Sequence, residues 1–172
     1  MDGLSAADFE SKRKPKQKSG TRHAVVRKTL IPKGCNLRVT NTKISEIVKE
    51  LRTLSLKDSP HAISVLFRVF LEQSVDDYLT RNSVSLSVPT GPGGTRFKSL
   101  KDKVTESVGL MVGTGSPKKD LDGVSKGIAD PNSPLCAETL NNYVHNRFYS
   151  PQESHLKVSW DNAQRFFELI WP

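Results

Sequence analysis

The 172-residue chain has little of what marks several large protein classes. It holds two cysteines, Cys35 and Cys136. Two thiols without metal-ligand spacing argue against a disulfide framework and fit a reducing compartment, so both read as packing residues. No run of about 18 apolar residues exists, which argues against a membrane-spanning helix. The opening MDGLSAADFESKRK lacks the apolar stretch of a secretory signal, and a cytoplasmic location is expected. His23, His61, His145 and His155 lack metal-site spacing to acids or cysteines, so neither a metal nor a cofactor is expected. The glycines of GPGGT and GTGSPKKD match no phosphate-binding loop and follow no strand, and there is no G-x-S-x-G elbow.

What is present is positive charge, unevenly placed. The net charge is +8. Residues 1–34 carry nine Lys or Arg against three acids, which is +6, and the rest of the chain carries 17 against 15, which is +2. The run KRKPKQK has no apolar side chain to offset the entropy of ordering. Residues 1–35 therefore read as a basic disordered tail or linker, and removing residues 1–34 is expected to leave stability almost unchanged. Lys12, Arg13, Lys14, Lys16 and Lys18 are candidates for nucleic-acid phosphates through counterion release, for a nuclear-localisation-like signal, or for a solvated linker. No aromatic residue lies between Lys12 and Lys18, so single-strand stacking is not indicated there.

Residues 36–172 read as one all-α domain, a bundle of five to six helices. VVRKTLIPKGCNLRVT, broken by Pro32 and Gly34, reads as extended chain leading in. Asn41 or Thr42 caps a helix over 41–54, with Ile44, Ile47, Val48, Leu51 and Leu54 at helical spacing. The next helix, 61–82, is apolar around most of its circumference, from Ala62, Ile63 and Val65 to Tyr78 and Leu79, and so is central and buried. Residues 82–95, with three glycines and two prolines, read as a loop. A third helix spans 99–112 behind a Ser99 cap, with Leu100, Val104, Val108 and Met111 inward. A short fourth helix over 118–130 carries Leu121, Val124 and Ile128. The fifth spans 134–146 with Pro134 at its first position. The last begins at Ser159 and buries Trp160, Phe167, Ile170 and Trp171.

Two constellations carry chemistry. On the central helix, Ser64, Arg68, Glu72 and Asp76 are spaced by four and form one polar stripe. Either Arg68 and Glu72 pair at the edge of the core, or Arg68 faces a site. On the fifth helix, Glu138, Asn141, Asn142 and His145 share one face, while Cys136, Leu140, Tyr143 and Val144 must pack inward. His145 is suited to general acid–base or hydrogen-bonding work near neutral pH. The competing reading is that His145 and the asparagines cap the helix end and order the NRFYSP turn.

The order of these features resembles the HEPN superfamily of small helical domains. AISVLFRVFLEQSVDDYL is similar to that family's early helix, with its Arg and Glu four apart. Leu140-Asn141-Asn142-Tyr143-Val144-His145 resembles its R-N-x-x-x-H motif, with Asn141 and His145 matching and Leu140 standing where Arg is expected. The resemblance covers roughly residues 41–172. It implies a metal-independent ribonuclease or a non-catalytic RNA-binding or dimerising module. In the catalytic version His145 is base or acid, Asn141 orients the 2′-hydroxyl or phosphate, and Arg68 or Arg147 supplies the missing cation. Asn142 joins the nucleic-acid contacts. LNNYVHNRFYSP followed by WDN also resembles C-terminal regions of ParB-like or phage-defence proteins, which implies a domain of something longer. The expected function is HEPN-like RNA binding or processing, as a degenerate ribonuclease in a defence or toxin-type context. The alternatives are a non-catalytic dimerisation module, with a homodimer as the expected state, or a sequence-independent DNA binder acting through the tail.

Overall fold

The computed structural model describes residues 27–147 and 149–172, apart from the side chains of Ala137, Leu140 and Val144. The expectations for Lys12 to Lys18, and for inward packing of Leu140 and Val144, lie outside the described residues. Those residues form α1 (Thr42–Thr53), α2 (Pro60–Arg81), β1 (Ser87–Gly91), β2 (Gly94–Phe97), α3 (Leu100–Gly113), α4 (Lys118–Ala129), α5 (Ala137–His145) and α6 (Glu153–Ile170). The fold is mostly helical, with one small two-stranded sheet.

Local chemistry sets the helix starts. The Asn41 side chain accepts from the Ile44 N–H at 3.2 Å, which satisfies one free donor at the head of α1. Pro60 opens α2 at a position where its missing N–H costs nothing. Ser99 and Asp102 form a reciprocal capping box on α3. The Ser99 hydroxyl, and behind it the Ser99 backbone N–H, hold the Asp102 carboxyl below its ordinary pKa.

The spacing-based core is largely in place. Ile44, Ile47, Val48 and Leu51 of α1 are buried. The centre is α2, against which α1, α3, α5 and α6 all pack, while α4 bridges α3 and α6. Phe67 and Phe70 of α2 meet Trp160 and Phe167 of α6 in one aromatic cluster. Phe70 and Phe167 have centroids 4.6 Å apart, and Trp160 and Phe167 stack at 5.3 Å. All four are at most 1% exposed. Aromatic pairs in this range add to the burial of their area. The chain end is fixed to this core. Trp171 Nε1 donates to the buried Ser74 Oγ at 3.2 Å, and the Arg81 guanidinium lies 4.9 Å from the Trp171 ring while donating to the Ile170 carbonyl.

Five expectations are corrected. The domain does not begin at residue 36: Leu30 and Ile31 are fully buried members of the core. The Arg27 guanidinium donates to Asp161 at 2.5 Å and to the Lys157 carbonyl at 2.8 Å, both on α6. Two apolar residues beside Pro32 were too short a run to signal burial. The supposed loop contains the β1–β2 hairpin, pairing Ser87 with Phe97 and Val88 with Arg96. Pro92 and Gly93 make its two-residue connection, and Gly93 sits at φ 77°, where a side chain would be strained. The same glycines and prolines that suggest a loop here build the turn of a hairpin. Helix α5 starts at Ala137, so Pro134 precedes it rather than opening it. Helix α6 starts at Glu153 rather than Ser159, which adds Leu156 to its buried face. Finally, two of the apolar residues assigned to the buried surface of α2 face outward: Ala62 is exposed, and Val65 is 40% exposed.

Both cysteines are free thiols. Cys35 is buried, and its carbonyl accepts from Arg52 at 2.6 Å. Burial, and behind it the nearby Glu168, pushes the Cys35 thiol up to about 11, against an opposing pull from Arg52.

Helix α4 depends on two glycines spaced by four. A Cβ at Gly123 would overlap the Asn162 carbonyl oxygen of α6. A Cβ at Gly127 would lie 2.7 Å from the Leu135 Cδ1 and 3.3 Å from the Ser133 Oγ. Gly123 therefore lets α4 lie against α6, and Gly127 lets the segment leading into α5 fold back across α4.

Candidate functional site

Helix α5 is nine residues long, too short to persist alone in water, so packing on α2 must hold it. Its inward anchors are Tyr143, 8% exposed, and Thr139, 1% exposed. The Thr139 hydroxyl donates to the Pro131 carbonyl, which ties the helix to the preceding loop. Tyr143 borders an apolar hollow with Leu54, just past α1, and with His61, Val65 and Leu66 of α2. Burial, and behind it the neighbouring Tyr149, raises the Tyr143 phenol above its ordinary pKa.

With that face turned inward, Glu138, Asn141, Asn142 and His145 are exposed. Asn141 and His145 are one turn apart, so they share one open face. Arg147, just past the helix, is exposed as well. Arg68 lies half-buried on α2, the helix on which α5 rests. Two other members of its stripe, Ser64 and Asp76, have partners of their own. The Ser64 hydroxyl donates to the His61 carbonyl at 2.7 Å. Asp76 lies 2.7 Å from the Lys103 ammonium of α3, a close charge pair between the two helices. Lys103 is 5% exposed, and an ammonium so enclosed requires such a counter-charge. Lys103 follows Leu100 by three and precedes Val104, so its position on the inward face was readable from spacing, though its partner was not.

The sequence reading missed a second polar region beside α5. One hollow of about 420 Å³ lies between α4, the loop 130–134 and α6, and includes Lys126, Asn132 and His155. A neighbouring hollow of about 300 Å³ includes Asn132 and His155 again, with Tyr143, Tyr149 and Gln152. The signal that was available is the pair of flanking prolines, Pro134 and Pro151, which stops helices on both sides of α5 and leaves polar loops around it. Among the described residues, no group of three or more His, Cys, Asp or Glu could hold a metal ion. Among those residues, no helix is long and apolar enough to cross a membrane.

Comparison with protein-family models, with curated proteins and with solved structures gives no match to this chain.

Proposed function

We propose that this chain is an HEPN-like helical bundle that binds RNA through the open face of α5, as a degenerate relative of metal-independent ribonucleases in a defence or toxin-type setting. The observation that carries the reading is the joint exposure of Asn141, Asn142 and His145 on one face of a helix whose other face is anchored by Tyr143. Two amides and an imidazole offer donors and acceptors to a 2′-hydroxyl, a phosphate and base edges. In a cleaving version His145 exchanges the proton of the 2′-hydroxyl, and Asn141 orients that hydroxyl or the phosphate. An arginine, Arg147 just past the helix or Arg68 of α2, stabilises the developing negative charge. Leu140 stands where the family motif has arginine, so that cation has to come from elsewhere in the fold.

Incubation of the purified chain with generic single-stranded RNA, in chelator and at low salt, tests this. Metal-independent cleavage that His145→Ala abolishes, with unfolding unchanged, supports the cleaving version. Binding without cleavage, weakened by Asn141→Ala and His145→Ala, supports an RNA-binding module. Neither binding nor cleavage removes the RNA reading.

A second reading, a non-catalytic homodimerising module of a larger protein, is favoured by Phe97. Its ring is 76% exposed at the end of a two-stranded hairpin. A large apolar ring on an unpaired strand edge is costly to leave in water and is suited to a protein partner. Sedimentation of wild type and Phe97→Ser separates the two readings: a dimer that Phe97→Ser dissociates, in a chain that binds no RNA, favours the module.

A further inference from the structure

We infer that the trough formed by the two joined hollows beside α5 is a second RNA contact, holding a short single-stranded segment by base stacking on Tyr149. The inference rests on the RNA reading above but concerns residues outside the α5 face.

The two hollows share Asn132 and His155 and so adjoin, with the tyrosine pair lining one and Lys126, near the C-terminal end of α4, lining the other. At about 300 and 420 Å³, each falls at the lower end of the range of small-ligand pockets, which is the scale of single nucleotides rather than of a protein surface. Tyr149 is 41% exposed, and its ring centre lies 5.8 Å from that of the buried Tyr143. Tyr143 thus backs Tyr149 and leaves part of the Tyr149 ring open to a base. Gln152, in the hollow with the tyrosines, and Asn132, shared by both hollows, bring amides that can donate to and accept from base edges. Lys126 lines the second hollow, where its ammonium can meet a phosphate. Asp130 borders the same hollow, as an acceptor suited to a ribose hydroxyl.

The trough is built before any ligand arrives. The Asp130 carboxylate accepts from the Asn132 N–H at 2.9 Å, and the Ser133 N–H donates to the Asp130 carbonyl at 3.0 Å. The Tyr149 N–H donates to the Asn146 carbonyl at 3.0 Å, which sets the turn that presents its ring. Gly127 lets the loop lie close to α4, which gives the hollow its floor. An aromatic platform, planar amides and a cation are the parts that single-stranded nucleic acid recognition combines.

The test uses the full chain and a fluorescein-labelled 12-nucleotide single-stranded RNA of mixed sequence, followed by anisotropy over a range of salt. Tyr149→Ala is expected to weaken binding by about 5- to 100-fold, the cost of one lost base stack, without changing the salt slope. Tyr149→Phe should bind like wild type, because the ring and not the hydroxyl does the stacking. Lys126→Ala should reduce the salt slope by about one phosphate contact. In a 4-thiouridine RNA, the photo-crosslink should fall on the peptide carrying Tyr149. Wild-type affinity in Tyr149→Ala, while Asn141→Ala and His145→Ala lose binding, overturns the trough and leaves the α5 reading standing. Loss of binding in both Tyr149→Ala and Tyr149→Phe also overturns it, since stacking cannot then be the cause. A wild-type chain that binds no RNA overturns both.

Discussion

The α2–α6 contact and the region from Asp130 to His155 are built on opposite terms. In the first, four aromatic rings that are at most 1% exposed lock two long helices together. In the second, the described inward side chains of a nine-residue helix are one tyrosine and one threonine, joined by the hydrogen bonds of its flanking loops. The aromatic contact carries stability, because each large side chain removed from water there contributes on the order of 2–3 kcal/mol. The α5 region carries exposed amides, an imidazole and open hollows, which contribute little to stability and leave polar groups free to meet a ligand. Regions of low local stability are where binding elements are commonly found.

The comparison makes a graded set of expectations. The largest effects belong to the core. Phe70→Ala should cost about 3–5 kcal/mol, because the cavity would open among Trp160 and Phe167 and helices cannot collapse into it. Denaturant unfolding reads this as a lower midpoint at constant slope. A near-native midpoint would mean that α2 is not the organising helix. Removing residues 1–34 should be comparably severe, at about 3–6 kcal/mol for the loss of Leu30 and Ile31 from the core. This reverses the expectation that composition alone suggests, and an unchanged melting temperature would show that those side chains contribute nothing.

Gly123→Ala comes next, and its sign is the informative part. In an exposed helix interior this change would stabilise by about 1 kcal/mol. Here the new methyl overlaps the Asn162 carbonyl oxygen, so α4 and α6 must separate, and a net loss of about 2 kcal/mol is expected. Any gain in stability would show that α4 stands further from α6 than described. The smallest effects belong to α5. Asn141→Ala and His145→Ala should each shift stability by less than about 0.5 kcal/mol, since both side chains are exposed. A loss above about 1 kcal/mol in either would favour the helix-end cap over the binding face.

The same contrast explains how much the sequence discloses. Apolar spacing marked α1 to α4 and the C-terminal part of α6, because burial on one face imposes a period that a single chain records. It failed where burial depends on a distant partner. Leu30 and Ile31 show no period of their own, and Lys103, whose inward position follows from spacing, gives no sign that its partner is Asp76 on α2. The hairpin was hidden because Pro89, Gly91, Pro92 and Gly93 are shared by turns and loops alike. The face bearing Asn141 and His145 was legible, since spacing of four fixes it. The trough was not, because Lys126, Asn132, Tyr149 and His155 come from separate elements that only the folded chain brings together.

The central claim is that RNA meets the chain at α5 and the loops around it. Amide hydrogen exchange of the full chain, with and without a saturating generic single-stranded RNA, addresses this most directly. The account predicts slowed exchange concentrated in 130–155, with the α2–α6 contact protected equally in both states. Unchanged exchange throughout 130–155 in RNA-bound protein, or protection confined to the hairpin at 87–97, would contradict it.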